Sequence, residues 1–315
     1  MIKELLQLYK QNKIDSIEFG KRMSNIHEVL LEYPQLINDS IIEKLEITKE
    51  KVIAHINKDN KNIKMIIYPL DLVAVPIIIM NFGTYENEEM DITLKLLNLL
   101  DKDSVIFDIG ANIGWYTLNI LKDMETRYVY SFEPIKETYL KLEEILKVNN
   151  LENYSIYNYG LYNENKNLEF FYDTLESGAS SIADLRERDT TKKVSCIVKK
   201  MDDFINDNCI NRLDFIKCDV EGAELFVYRG GIESIKKFKP IIFSEMLRKW
   251  SAKFNYHPND IIDLLEGIGY KCFVIDDKKL RLFEKVDEET IETNYFFLHK
   301  EKHSNIINNN DIVKA

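Results

Sequence analysis

From about residue 90 the apolar positions of the chain alternate between two periods. "MDITLKLLNLL" reads as a helix, "SVIFDIG" as a strand, "WYTLNILKDM" as a helix and "YVYSFE" as a second strand. The next helix carries Ile135, Tyr139, Leu142 and Leu146 on one face, and "YSIYNY", "LDFIKCD" and "PIIFSE" supply strands three, four and five. Strands that are near-continuous apolar runs, joined by amphipathic helices, predict a parallel sheet covered on both faces, a doubly wound α/β core. After the helix "HPNDIIDLLEGIGY", stopped at Gly267 and Gly269, "KCFVID" and "NYFFLHK" predict an antiparallel strand pair at the sheet edge.

The flanks have other patterns. Residues 1–50 read as a helical extension, with Leu5, Leu6 and Tyr9, then Phe19, Met23, Ile26 and Leu30 at helical spacing and Pro34 as a break. Residues 51–80 predict a β-hairpin around Asp59-Asn60 and a connector, 81–300 the core domain, and the Asn-rich 301–315 a loose tail. The polar stretch 173–193 reads as a mobile lid or plain surface.

Composition narrows the classes. The chain has 315 residues, 45% of them hydrophobic, enough for a proper core. Its net charge of −11 provides no positive field for a polyanion, so nucleic acid is not an expected partner. Cys196, Cys209, Cys218 and Cys272 lack CxxC spacing and framework density, which points to a reduced cytoplasm. "LVAVPIIIM" falls short of the ~20 residues of a membrane span, and the N-terminus is not a signal peptide.

The glycine loop in "VIFDIGANIGWYTL" is the candidate ligand site, because doubly wound sheets bind beyond the carboxyl ends of their strands. An ATPase loop needs Lys and Ser or Thr after its last glycine, where Trp115 and Tyr116 stand. A dinucleotide loop needs G-x-G-x-x-G, whereas the spacing here is Asp108-x-Gly110-x-Asn112-x-Gly114. A ligand with both an ammonium and a carboxylate would use the acid and the helix N-terminus together, which singles out S-adenosylmethionine. Glu133, at the tip of the second strand, is placed to accept both ribose hydroxyls. Gly110, Ala111, Asn112, Gly114, Glu133, Pro134 and, bordering the adenine, Gly160 join Asp108 as the expected cofactor-binding set.

At these residues the chain resembles the FkbM family of S-adenosylmethionine-dependent methyltransferases. The matching stretches are "FGTYE" (82–86), 105–118, "YSFEPIKETYLKLEEILKVNN" (130–150), "LDFIKCDVEGAELFVYRGG" (213–231) and "KPIIFSEM" (239–246), with only "GASSI" matching inside 173–193. The resemblance implies a class I, Rossmann-like methyltransferase fold and methyl transfer to a hydroxyl of a sugar, glycan or glycosylated metabolite, whether free, nucleotide-linked or lipid-linked. It also implies that Tyr85 and Glu86 fold over the cofactor. The N-terminal helices lie outside the match and are expected to serve oligomerisation or substrate choice.

Strand tips supply the catalytic candidates. Asp219, after strand four, should face the sulfonium, and Glu245 sits at the neighbouring tip; a carboxylate base there would help a sugar hydroxyl lose its proton. Glu221 is evenly balanced between catalysis and helix-dipole compensation, and Glu224 is the structural member of "DVEGAE". His257 ranks third, since "YHPND" also reads as a helix entry. Asp219 and Glu245 would suit Mg²⁺, but two ligands are too few to assert a metal site. An NAD-dependent oxidoreductase, separable by which cofactor raises the melting temperature, and a non-catalytic binding protein are the rival classes.

Overall fold

The computed structural model describes residues 1–315 except 70, 174, 176–179, 184–190 and 315. Most of the stretch expected as a lid therefore lies outside the described residues. Two helices open the chain, α1 (Ile2–Lys10) and α2 (Ser16–Ile37), and Asp15 caps α2 by accepting the Glu18 N–H at 2.8 Å. Pro34 does not break α2; it sits in the last turn of the helix, which runs on to Ile37.

The helical prelude ends earlier than expected, because residues 42–47 form β1 (Ile42–Ile47). β1 pairs antiparallel with β2 (Val52–Lys58), and a register shift between Ile42 and Lys44 disrupts the alternation that would have marked it as a strand. β2 returns as β3 (Lys61–Ile67) through Asp59 and Asn60, whose φ values of 53° and 62° suit the tight turn of the expected hairpin. Then α3 (Val75–Phe82) and α4 (Asn87–Leu97) lead into the core.

The core runs β4 (Val105–Ile109), α5 (Trp115–Asp123), β5 (Tyr128–Phe132), α6 (Lys136–Val148) and β6 (Tyr154–Tyr157). A small sheet follows, β7 (Gly160–Tyr162), β8 (Lys166–Asp173) and β9 (Thr191–Lys200), so residues 191–193 belong to a strand. The chain then forms α7 (Met201–Asp207), β10 (Phe215–Cys218), α8 (Glu224–Gly230), α9 (Ile232–Phe238), β11 (Ile241–Glu245), α10 (Arg248–Ser251) and α11 (Pro258–Glu266). It closes with β12 (Tyr270–Asp276), β13 (Lys279–Phe283), β14 (Asn294–His299) and α12 (Ser304–Ile307).

The eight-stranded sheet has the order β6-β5-β4-β10-β11-β14-β12-β13. From β6 to β11 neighbours are parallel, while β14 runs antiparallel to both β11 and β12 and β13 folds back on β12. The antiparallel edge thus has three strands rather than two. Helices cover both faces, α4 to α6 with β2 and β3 on one side and α7, α8, α9 and α11 on the other, which is the class I methyltransferase architecture.

The last residues are not a loose tail. His303, Ile306, Ile312 and Val313 are buried, and Val313 bridges to Leu280 of β13. Polar composition hid four anchors spaced to cap the sheet edge. No helix among the described residues is long and apolar enough to cross a membrane.

Candidate active site

The chain builds outward from β4 to β6 and then returns to lay β10 beside β4, so the strand order reverses between these two. A crevice at their carboxyl ends is the expected ligand position. Gly110 N–H and Ala111 N–H both donate to the Phe132 carbonyl at 3.0 Å, tying the loop after β4 to the tip of β5. Gly110 has a φ of 76°, and a Cβ there would stand 1.8 Å from the Asp219 carbonyl oxygen. Only glycine fits where the two loops touch.

Glu133 braces this loop. Its Oε2 accepts the Asn112 N–H at 3.0 Å and its Oε1 accepts the Ile135 N–H at 2.8 Å. Burial pushes its carboxyl up to about 7, against the lowering effect of those two bonds. Each oxygen keeps a further lone pair for a ligand hydroxyl.

A cavity is bounded by Gly110, Asn112, Glu133, Pro134, Gly160 and Asp219, all expected from the sequence. Glu221 also borders it, and apolar walls come from Leu161, Phe170 and Ile182. Phe170 has no signal in the sequence because 160–200 shows no clear period; of "GASSI", Ser180 and Ile182 line the cavity, and Gly178 and Ala179 lie outside the described residues. Ser181 is buried, and its hydroxyl donates to the Glu221 carbonyl at 2.8 Å, fastening this segment to the loop after β10.

Five expected cofactor residues do not border the cavity. Asp108 is wholly buried behind it, where Oδ2 accepts the Thr117 N–H at 3.1 Å and the Thr117 hydroxyl at 2.6 Å. It caps the first turn of α5 instead of facing a ligand. Ala111 and Gly114 shape the loop, and the φ of 90° at Gly114 turns the chain into α5. Tyr85 and Glu86 lie on the α5 side: Glu86 accepts the Tyr116 hydroxyl at 2.6 Å, and Tyr85 meets Trp115 edge-on at 6.1 Å. His257 is corrected as well. It is exposed at the start of α11, its Nδ1 accepting the Asn259 N–H at 3.2 Å and its N–H donating to Asp260, a capping box away from the acids.

The acids meet at the tips of β10 and β11. Asp219, Glu221 and Glu245 can each offer a carboxylate oxygen such that the three atoms lie within 4.8 Å of one another. Burial, then the charges of Asp219 and Glu221, pushes the Glu245 carboxyl well above the usual range, and a side-chain hydrogen bond joins it to Asp219. Glu224 stands apart: its Oε1 accepts the Val220 and Gly222 N–H groups at 3.1 and 3.0 Å, and its Oε2 accepts the Tyr256 hydroxyl. It holds the turn that presents Asp219 and Glu221.

Lys217 was not singled out in the sequence. Its Nζ donates to Asp219 Oδ2 at 3.2 Å and to the Gly110 carbonyl at 3.2 Å, lies 3.9 Å from Asp108 Oδ1, and sits 5.1 Å from the centre of the Tyr116 ring. Burial works to lower its pKa, yet Asp219, Asp108 and Glu86 together hold it above the ordinary lysine value. One buried cation thus ties the glycine loop to the acid cluster. The signal was a lysine inside the apolar strand "LDFIKCD".

Glycine where a Cβ would collide, a braced acid with free lone pairs, and the buried, unpartnered Asn112 Oδ1 are features that fit S-adenosylmethionine. Fold and site together define a class I, S-adenosylmethionine-dependent methyltransferase. Residues 108–272, just over half the chain, match the methyltransferase FkbM domain model, and the chain belongs to that family.

Among curated relatives, Methyltransferase 1 of Beauveria bassiana is 27% identical over 179 residues, covering 48% of this chain and 72% of that protein. AMB antimetabolite synthetase AmbE of Pseudomonas aeruginosa is 24% identical over 221 residues, 58% of this chain but 10% of the synthetase. Among solved structures, an FkbM methyltransferase from Methylobacillus flagellatus is similar at a TM-score of 0.41 and 17% identity, covering 64% of this chain and 45% of that one. An S-adenosylmethionine-dependent O-methyltransferase from Thermotoga maritima gives a TM-score of 0.36 at 12% identity, with 81% and 84% covered.

Proposed function

We propose that this methyltransferase acts on a hydroxyl oxygen of a sugar or glycan, free, nucleotide-linked or lipid-linked. The observation that carries the reading is the convergence of Asp219, Glu221 and Glu245 beside the cofactor cavity. S-adenosylmethionine, when bound, supplies an electrophilic methyl group. A hydroxyl acceptor must then shed its proton, and the protein's share of the chemistry is to hold that oxygen and receive the proton. Asp219, steadied by the Lys217 ammonium at 3.2 Å, is the acceptor for it, and Glu245, hydrogen-bonded to Asp219, orients it.

A groove beyond Glu245 supports a hydroxyl-rich acceptor. The segment after β11 and the segment before β14 form its walls, with Arg248, Lys249, Thr290, Glu292 and Thr293 as hydrogen-bonding groups and Tyr295 beneath. Incubating the protein and S-adenosylmethionine with sugars, sugar nucleotides and cell-wall glycans should yield a product heavier by one methyl group, and Asp219→Asn should slow its formation by about 10²–10⁴. If methyl transfer goes only to nitrogen or carbon acceptors, the reading fails.

A divalent cation is a second reading of the same three carboxylates, since their oxygens come within 4.8 Å of one another. Lys217 weighs against it, because its ammonium already occupies an Asp219 oxygen at 3.2 Å. A chelator arm in the same assay separates the two.

A further inference from the structure

The first two helices form an arm that the other described residues leave largely uncovered. Over its 22 residues α2 buries none, and α1 buries only Leu5. Of the 17 exposed large hydrophobic residues among those described, nine fall in residues 1–37, including Ile17 at 69%, Val29 at 57% and Leu31 at 75% exposure. The hairpin is held by the Tyr9–Phe19 stack at 4.7 Å, and it meets the body through Tyr33 and Ile37 at the end of α2. Between the helices runs an open groove lined by Leu5, Leu8, Arg22, Ile26 and Val29. Nothing among the described residues fills it.

The arm's charges indicate what does. Residues 1–37 hold five basic and five acidic side chains, so the arm is neutral while the remainder carries the whole net charge of −11. Within α2 the charges are polarised: Glu18, Lys21 and Arg22 leave its first half net positive, and Glu28 and Glu32 make its second half negative. Arg22 is bonded only to its helical neighbour Glu18, and Lys21, Glu28 and Glu32 make no ion pair among the described residues. An antiparallel copy of α2 crossing near Ile26 would set Lys21 and Arg22 against Glu32 and Glu28, and would do so twice. The apolar Met23, Ile26, Val29 and Leu30 then lie along the seam. A parallel copy would oppose like charges.

We infer that the arm is a homodimerisation element, two α1–α2 hairpins pairing antiparallel into a four-helix bundle about a two-fold axis. The apolar seam supplies the affinity, and the charge pairs, weak singly at an exposed surface, fix the direction. α2 is about 33 Å long and α1 about 13 Å, so faces ~10 Å wide bury on the order of 500 Å² per partner. That is below the ~800 Å² of a standard interface, so the dimer forms in a concentration-dependent way.

Sedimentation velocity on the full chain from about 1 to about 100 µM tests this. Wild type should pass from monomer to dimer across the range. Val29→Glu with Leu30→Glu should stay monomeric throughout, with melting temperature and methyl transfer unchanged, since α2 buries no residue. Glu28→Lys with Glu32→Lys should weaken the dimer at least tenfold, and adding Lys21→Glu and Arg22→Glu should restore it. A wild type monomeric throughout, a dimer indifferent to Val29→Glu/Leu30→Glu, or a charge swap that fails to restore pairing would overturn the inference.

Discussion

Replacing Lys217 by Met removes the buried cation and keeps most of its stem against Tyr116. At an effective dielectric of about 20, an ammonium 3.2 Å from Asp219 and 3.9 Å from Asp108 has gross attractions of about 5 and about 4 kcal/mol. Much of that offsets the cost of burying the charges, and the net loss on breaking such a pair is about 3–5 kcal/mol. The pH dependence carries the diagnostic information. Burial already raises the Asp108 carboxyl and Lys217 is the main group lowering it, so the variant raises it further. A carboxyl raised by folding costs stability as pH climbs from its unfolded value of about 3.9 to its folded one, at about 1.4 kcal/mol per unit. Urea unfolding should find Lys217→Met falling further below wild type as pH rises, because its Asp108 holds its proton to higher pH than the wild-type one does. A difference below about 1 kcal/mol at neutral pH, or one that is the same at every pH, would refute the idea that Lys217 neutralises this cluster.

Three further outcomes follow from the cradle and the acids. Glu133 carries a proton below about 7 and needs to be ionised to accept ribose hydroxyls, so S-adenosylmethionine affinity should rise about tenfold per pH unit below 7 and level off above it. Calorimetry giving a flat profile, or a Glu133→Ala variant that keeps the wild-type slope, would remove Glu133 from cofactor binding. Asp219→Asn should bind the cofactor within a few-fold of wild type while kcat drops by about 10²–10⁴; undiminished turnover on the true acceptor counts against a base at this position. Gly110→Ala must move the loop off the Asp219 carbonyl, with about 1–3 kcal/mol of backbone strain in addition, so cofactor affinity should fall by more than about tenfold in a protein that still folds. Equal affinity would mean the two loops do not need to touch.

What could be read from sequence followed the range of the forces involved. Alternating apolar runs and amphipathic helices depend on local period, so the order of strands and helices in the core was visible without coordinates. β1 and the β7–β9 sheet were not: one is interrupted by a register shift, and the other is three segments of mixed polarity packed through Tyr162, Phe170 and Val198. The convergence of Asp219, Glu221 and Glu245 was half visible. Adjacent strand tips brought two of them together, but Glu221 joins through a φ of 54° in a turn held by Glu224, which no periodicity encodes.

Asp108 and Lys217 show where a stricter use of period would have done better. Side chains alternate across a sheet, so Ile106 and Asp108 face one side of β4 while Phe107 and Ile109 face the other, each joining a different half of the core. An acid one residue inside the strand, on the face that α5 covers, is buried beneath that helix rather than presented at the strand tip. It then needs an internal counter-charge, because an unpaired carboxylate in a dry interior is too costly to keep ionised. Lys217 is its register partner on β10, in a strand whose four residues are all buried. A lysine with no route to water and an acid with no route to the ligand imply each other. Their pairing explains how the glycine loop of the cofactor site and the acid cluster of the acceptor site are held in one geometry before either ligand arrives.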